Sequence, residues 1–86
     1  MKDRFTVPEH VIERAFGDKT ILLSLRSGDY FSLNAVGSFF WKGVSEGRAL
    51  PELASEAARI YRQPQEAIDA DLADFVRDLE QLGLAE

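Results

Sequence analysis

From residue 11 to residue 33, apolar and polar positions alternate over short runs; beyond residue 34, apolar positions recur three and four apart. The first rhythm predicts strands and the second helices. Residues 11–16 (VIERAF) alternate and meet GDK, a Gly-Asp turn signal. Residues 20–25 (TILLSL) put Ile21, Leu23 and Leu25 on one face and Leu22 on the other. RSGD (26–29) makes a second turn, and YFSL (30–33) returns. Two turns between three short runs predict an antiparallel meander with 20–25 in its middle. FTV (5–7) is a candidate extra strand, stopped by Pro8.

Three helices follow. Asn34 is a natural N-cap for the first, which runs to about Glu46 and ends at Gly47. Pro51 suits the first turn of the second, with an apolar stripe of Leu53, Ala54, Ala57, Ile60 and Tyr61. Pro64 opens the third, where Ile68, Leu72, Phe75, Val76, Leu79 and Leu82 recur at helical spacing until Gly83. The expected fold class is α+β, a three-stranded antiparallel sheet followed by three helices that cover one of its faces, in a single domain spanning residues 1–86.

A three-stranded meander has two edges, and here their residues differ. The first strand carries Glu13 and Arg14, with Pro8 just upstream, the usual protection against stray pairing. The last strand, YFSL, has neither charge nor proline within it, and Asp29 alone stands at its start. Such an edge is either covered by the fold or kept open for a visiting strand. Tyr30 and Ser32 fall on one face, Phe31 and Leu33 on the other, so one pair belongs to the core. The other pair can line a groove with part of the third helix. A peptide laid there would gain main-chain hydrogen bonds from the strand and side-chain pockets from the helix, which is β-augmentation. Five of the nine aromatic residues fall in residues 28–41. Phe40 and Trp41, on a helix that must bury something, read as core; Tyr30 and Phe31 read as groove.

Composition narrows the functional classes. The net charge is −5, and the basic residues are scattered singly. The third helix carries Glu66, Asp69, Asp71, Asp74, Asp78 and Glu80 against Arg77 alone. Nucleic-acid binding needs clustered cations, so a DNA-binding winged helix is disfavoured and no nucleic-acid partner is expected. With no cysteine and a single histidine, His10, no thiolate or His-based metal site and no Ser-His dyad can be built in one chain. Neither a catalytic residue, a metal nor a cofactor is expected. No apolar run approaches the roughly 20 residues of a membrane span, and the N-terminus lacks a secretory signal, so a cytoplasmic location is expected.

The ordered set Tyr30, Leu33, Asn34, Glu46, Gly47, Glu52, Leu53, Tyr61, Asp71, Leu72, Leu79, Gly83 and Leu84 resembles the pattern of the PqqD-like family over roughly residues 11–85. That pattern is a Tyr/Phe-Leu-Asn strand end, an apolar helix and an acidic-Gly turn. A Glu-Leu helix, an aromatic near its end, an Asp-Leu/Val helix and a closing Leu-x-x-x-Gly-Leu complete it. The resemblance implies a winged helix-turn-helix-like domain that binds the leader segment of a ribosomally made precursor peptide. It also implies presentation of that peptide to separate modifying enzymes such as a leader protease or a cyclase, without catalysis of its own. Stand-alone chains of this length look most like the lasso-peptide recognition proteins of the family. The peptide chaperone of pyrroloquinoline quinone biosynthesis is the alternative.

The resemblance further implies that the leader pairs with the third strand and packs on the third helix, here Asp29, Tyr30, Phe31, Ser32 and Leu33 and roughly residues 65–82. An antiparallel leader would then enter a groove floored by Tyr30 or Phe31 and walled by Leu72, Phe75, Val76 and Leu79. Asp69 and Asp71 are candidate partners for a Lys or Arg of the leader. A homodimer joined through two YFSL edges is the remaining rival.

Overall fold

A computed structural model describes residues 2–86. Strands β1 (Val11–Phe16), β2 (Lys19–Ser24) and β3 (Tyr30–Leu33) precede helices α1 (Ala35–Ser45), α2 (Leu50–Tyr61) and α3 (Gln65–Gln81). The sheet is antiparallel in the order β1-β2-β3, the expected α+β meander with its middle strand in the middle. Strands first and helices after is an arrangement compatible with a winged helix-turn-helix.

Local chemistry explains the joints. Phe16 pairs with Lys19 across a two-residue hairpin whose first residue, Gly17, has φ +62°, a conformation open to glycine at little cost. The β2–β3 turn closes with the Ser24 N–H donating to the Asp29 carbonyl at 3.0 Å. Leu25 lies in that turn rather than in β2 and is exposed. Asn34 caps α1 as expected, its Oδ1 accepting from the Gly37 N–H at 2.9 Å. The cap of α2 is Ala49, with Pro51 in the first turn.

Register decides which face of the sheet is core. Leu22 stands between Glu13 and Phe31, and Thr20 is paired with Leu33, so the helices cover the Thr20–Leu22–Ser24 face. Ile21 and Leu23 turn outward, beside Ser32 and Tyr30. The core therefore takes the less apolar face of the middle strand. Trp41, Leu22, Leu53, Leu84 and Val44 are its largest fully buried side chains. Each contributes about 1.5–3 kcal/mol through burial. Gly43 lets α1 approach α2, because a Cβ there would run into the Leu53 side chain.

Two further expectations are corrected. Residues 5–7 form no strand of the sheet; instead Thr6 exchanges main-chain hydrogen bonds with Glu86, at 2.8 and 2.9 Å, and this seats Phe5 in the core. Ile60 is half-exposed rather than part of the buried stripe of α2, whose buried residues are Leu53, Ala54 and Ala57. Among the described residues, no helix is long and apolar enough to cross a membrane.

Candidate functional site

The two edges of the sheet can be compared group by group. In an antiparallel ladder, alternate residues direct both main-chain groups to one neighbour. The Ser24–Asp29 bond sets the phase between β2 and β3. Phe31 and Leu33 then bond to β2, and Tyr30 and Ser32 direct their N–H and C=O groups away from the sheet. Among the described residues, neither Tyr30 nor Ser32 makes a main-chain hydrogen bond outside the sheet. On β1 the outward groups belong to Val11, Glu13 and Ala15. There the Val11 N–H donates to the Pro8 carbonyl at 3.1 Å, and Arg14 Nη1 donates to the Glu13 carbonyl at 3.0 Å. The β1 edge is thus partnered by its own chain at two of its outward groups, whereas among the described residues the outward groups of β3 have no partner.

Beside the vacant edge runs a groove of about 370 Å³ between β3 and α3. Leu22, Tyr30, Phe31, Ser32 and Leu33 line it from the sheet, Phe75, Asp78, Leu79 and Leu82 from α3, and Leu84 from the tail beyond. Two of these side chains have a visible support. The Phe75 ring leans on Phe40, with ring centres 5.7 Å apart. Gly83, at φ +72°, ends α3 and turns the chain so that Leu84 tucks into the core. His10 Nε2 lies 2.9 Å from the Gly83 carbonyl, which ties that turn to the start of β1. The groove is an apolar trough with a row of unused main-chain donors and acceptors along one wall. That combination suits an extended polypeptide. Among the described residues, no group of three or more His, Cys, Asp or Glu is placed to hold a metal ion.

The profile of the family described as Coenzyme PQQ synthesis protein D (PqqD) matches residues 19–85. The chain belongs to the PqqD family. Within that frame it is similar to the solved structure of TbiB1 in complex with the TbiA(beta) leader peptide. The two are 32% identical over 94% of each chain, with a TM-score of 0.89. It also shares its fold with a lasso peptide synthetase B1 complexed with the leader peptide, at 22% identity, a TM-score of 0.89, and coverage of 96% of this chain and 98% of that one. No curated protein matches the chain.

This PqqD-family structure brings together some of the residues expected from the sequence and separates others. Tyr30, Phe31, Ser32, Leu33, Phe75 and Leu79 all border the groove. Phe31, facing the helices, lies on its floor side, while the Tyr30 side chain, 73% exposed, projects from the sheet face away from the core. Leu72 and Val76 do not line it; both are buried in the core, on the inner side of α3 with Ile68. Asp29 lies in the turn before β3, its N–H held by Ser27 Oγ at 3.3 Å. Asp69 accepts from Gln65 Nε2 at 2.9 Å and borders a different hollow, with Lys2, Leu50 and Pro51. Asp71 is exposed and lies outside the groove. Asp78, Leu82 and Leu84, together with Leu22 of β2, are groove residues outside the set expected from the sequence. Counting three and seven positions on from Phe75 finds the first two; the third follows only from the turn at Gly83.

Proposed function

We propose that this PqqD-family protein binds the leader segment of a ribosomally made precursor peptide as a fourth strand on β3, and presents it to separate modifying enzymes such as a leader protease. The observation that carries the proposal is the pairing of vacant main-chain groups at Tyr30 and Ser32 with the apolar groove beneath them. An antiparallel guest would form hydrogen-bonded pairs with those two residues and send alternate side chains toward Phe31, Phe75 and Leu79. The likeness to TbiB1, whose solved complex holds a leader peptide, supports leader binding, and the fold shared with a lasso peptide synthetase B1 favours the lasso-peptide branch over the quinone-cofactor branch of the family. The protein performs no chemistry in this reading and works in the cytoplasm, where precursor peptides are made.

A micromolar complex requires about 8 kcal/mol. Four strand hydrogen bonds at about 0.5–1.5 kcal/mol each, with two or three buried apolar anchors, reach that range. Titration of a fluorescently labelled leader, taken from a short precursor encoded beside this gene, tests the proposal. Saturable binding at micromolar or lower concentration is expected. Absence of binding to the leader, or equal binding to a scrambled leader, overturns it. A DNA-binding reading is opposed by the acidic face of α3, and a mobility-shift assay at low salt is expected to show no complex.

A further inference from the structure

We infer that Asp78 imposes a charge requirement on the guest strand: one of the side chains it turns toward α3 is a Lys or Arg, in phase with the apolar anchors. This inference rests on the strand-addition reading above. Phe75, Asp78, Leu79 and Leu82 stand at i, i+3, i+4 and i+7, which is one face of α3, and that face borders the groove. Asp78 is the one charged side chain in a lining that is otherwise apolar or neutral. Glu66, Asp71 and Glu80 lie outside the groove, and two further carboxylates of α3 already have partners. Asp74 pairs with Arg77 at 2.9 Å, and Asp69 takes a hydrogen bond from Gln65. The Asp78 side chain enters no ion pair among the described residues.

An exposed carboxylate is well solvated while the groove stands open. A strand laid along β3 removes part of that water, and a carboxylate losing water without gaining a partner is disfavoured. A guest Lys or Arg restores the balance, a neutral residue leaves the carboxylate bare, and Asp or Glu adds repulsion. Strand geometry then fixes where the cation sits. Side chains two apart share a face, so the cation falls two or four residues from an apolar anchor and never an odd number away. The net charge of −5 draws a cationic guest in the same direction, although screening at physiological salt confines that attraction to about 8 Å. Asp78 is therefore a specificity residue.

The test is selection of a displayed random twelve-residue peptide library on the immobilised full chain. The unaltered protein, Asp78→Lys and Asp78→Asn are compared, with Glu66→Lys on the same helix as a control for net charge, and far-UV circular dichroism checks each fold. The unaltered protein and Glu66→Lys are expected to enrich apolar residues two apart with a Lys or Arg at an even offset. Asp78→Lys is expected to enrich Asp or Glu at that offset, and Asp78→Asn neither sign. In a synthetic winner, Lys→Gln is expected to weaken binding about two- to fivefold at 0.1 M salt and much less at 1 M. An unchanged cation preference in Asp78→Lys, or a cation at odd offsets, overturns the inference. Winners that bind Ser32→Pro as well as the unaltered protein overturn strand addition itself. Winners that lose binding to Ser32→Pro but carry no charge preference overturn the role of Asp78 alone.

Discussion

β1 and β3 are the two outer strands of one small sheet, and they treat their outward main chain in opposite ways. β1 spends two of its outward groups at home, the Val11 N–H on Pro8 and the Glu13 carbonyl on Arg14. β3 leaves Tyr30 and Ser32 without partners outside the sheet among the described residues, next to an apolar groove. An open edge invites aggregation, so natural sheets protect edges with charge, proline or a cover. A chain that protects one edge and leaves the other bare treats the bare edge as useful. Vacancy at an edge is informative when the same sheet demonstrates the alternative.

The largest test of this contrast places proline on each edge in turn. Proline removes an N–H, and at Ser32 and at Glu13 that N–H points out of the sheet, so the ladder to β2 survives both changes. Ser32→Pro is expected to weaken leader binding about 10- to 100-fold, since it deletes one bond and strands a guest carbonyl. Glu13→Pro is expected to leave the affinity within about twofold in the same fluorescence titration. Equal losses at the two edges would erase the distinction. Proline at Phe31 is a poorer probe, because that N–H faces β2.

Phe75→Ala comes next. Phe75 is half-buried against Phe40 and borders the groove, so truncation is expected to cost about tenfold in leader affinity. Chemical denaturation should also show a stability loss of at most about 3 kcal/mol, the lower end of the range for aromatic truncation in a core.

A smaller effect sharpens the other side of the comparison. Arg14→Ala frees the Glu13 carbonyl. It is expected to leave leader affinity unchanged while producing weak, concentration-dependent self-association in sedimentation velocity.

The smallest effect lies away from both edges, where Arg48 and Glu56 form an ion pair at 2.7 Å. The hydrogen bond from Arg48 holds the Glu56 carboxyl below its ordinary 4.5. Because the folded value is the lower one, the stabilisation is present above about pH 4.5 and is lost as pH falls through the folded value. Glu56→Gln is therefore expected to flatten a slight acid-side fall in thermal stability and to leave leader affinity at neutral pH untouched.

Much of this contrast was legible in the sequence. Turn residues and alternation define the meander; Glu13, Arg14 and Pro8 mark the guarded edge, and YFSL marks the bare one. What the sequence could not supply was rotation. In β2 the more apolar face, Ile21 and Leu23, looks like core, yet the helices dock over Thr20, Leu22 and Ser24, because docking follows the whole assembly rather than one strand. The apolar stripe of α3 is wide enough to serve two surfaces. Ile68, Leu72 and Val76 go to the core, and Phe75, Asp78 and Leu82 to the groove, with Leu79 between them. Spacing alone groups these residues together. For the same reason the sequence points to Asp69 and Asp71, whereas the α3 carboxylate that borders the groove is Asp78.

Hydrogen exchange at four adjacent amides tests the central claim most directly. In the protein without peptide, the account predicts slow exchange at Phe31 and Leu33 and near-unprotected exchange at Tyr30 and Ser32, with the latter two slowing at least about 100-fold under saturating leader. Protection of Tyr30 and Ser32 before any peptide is added, or no slowing at saturation, would contradict it.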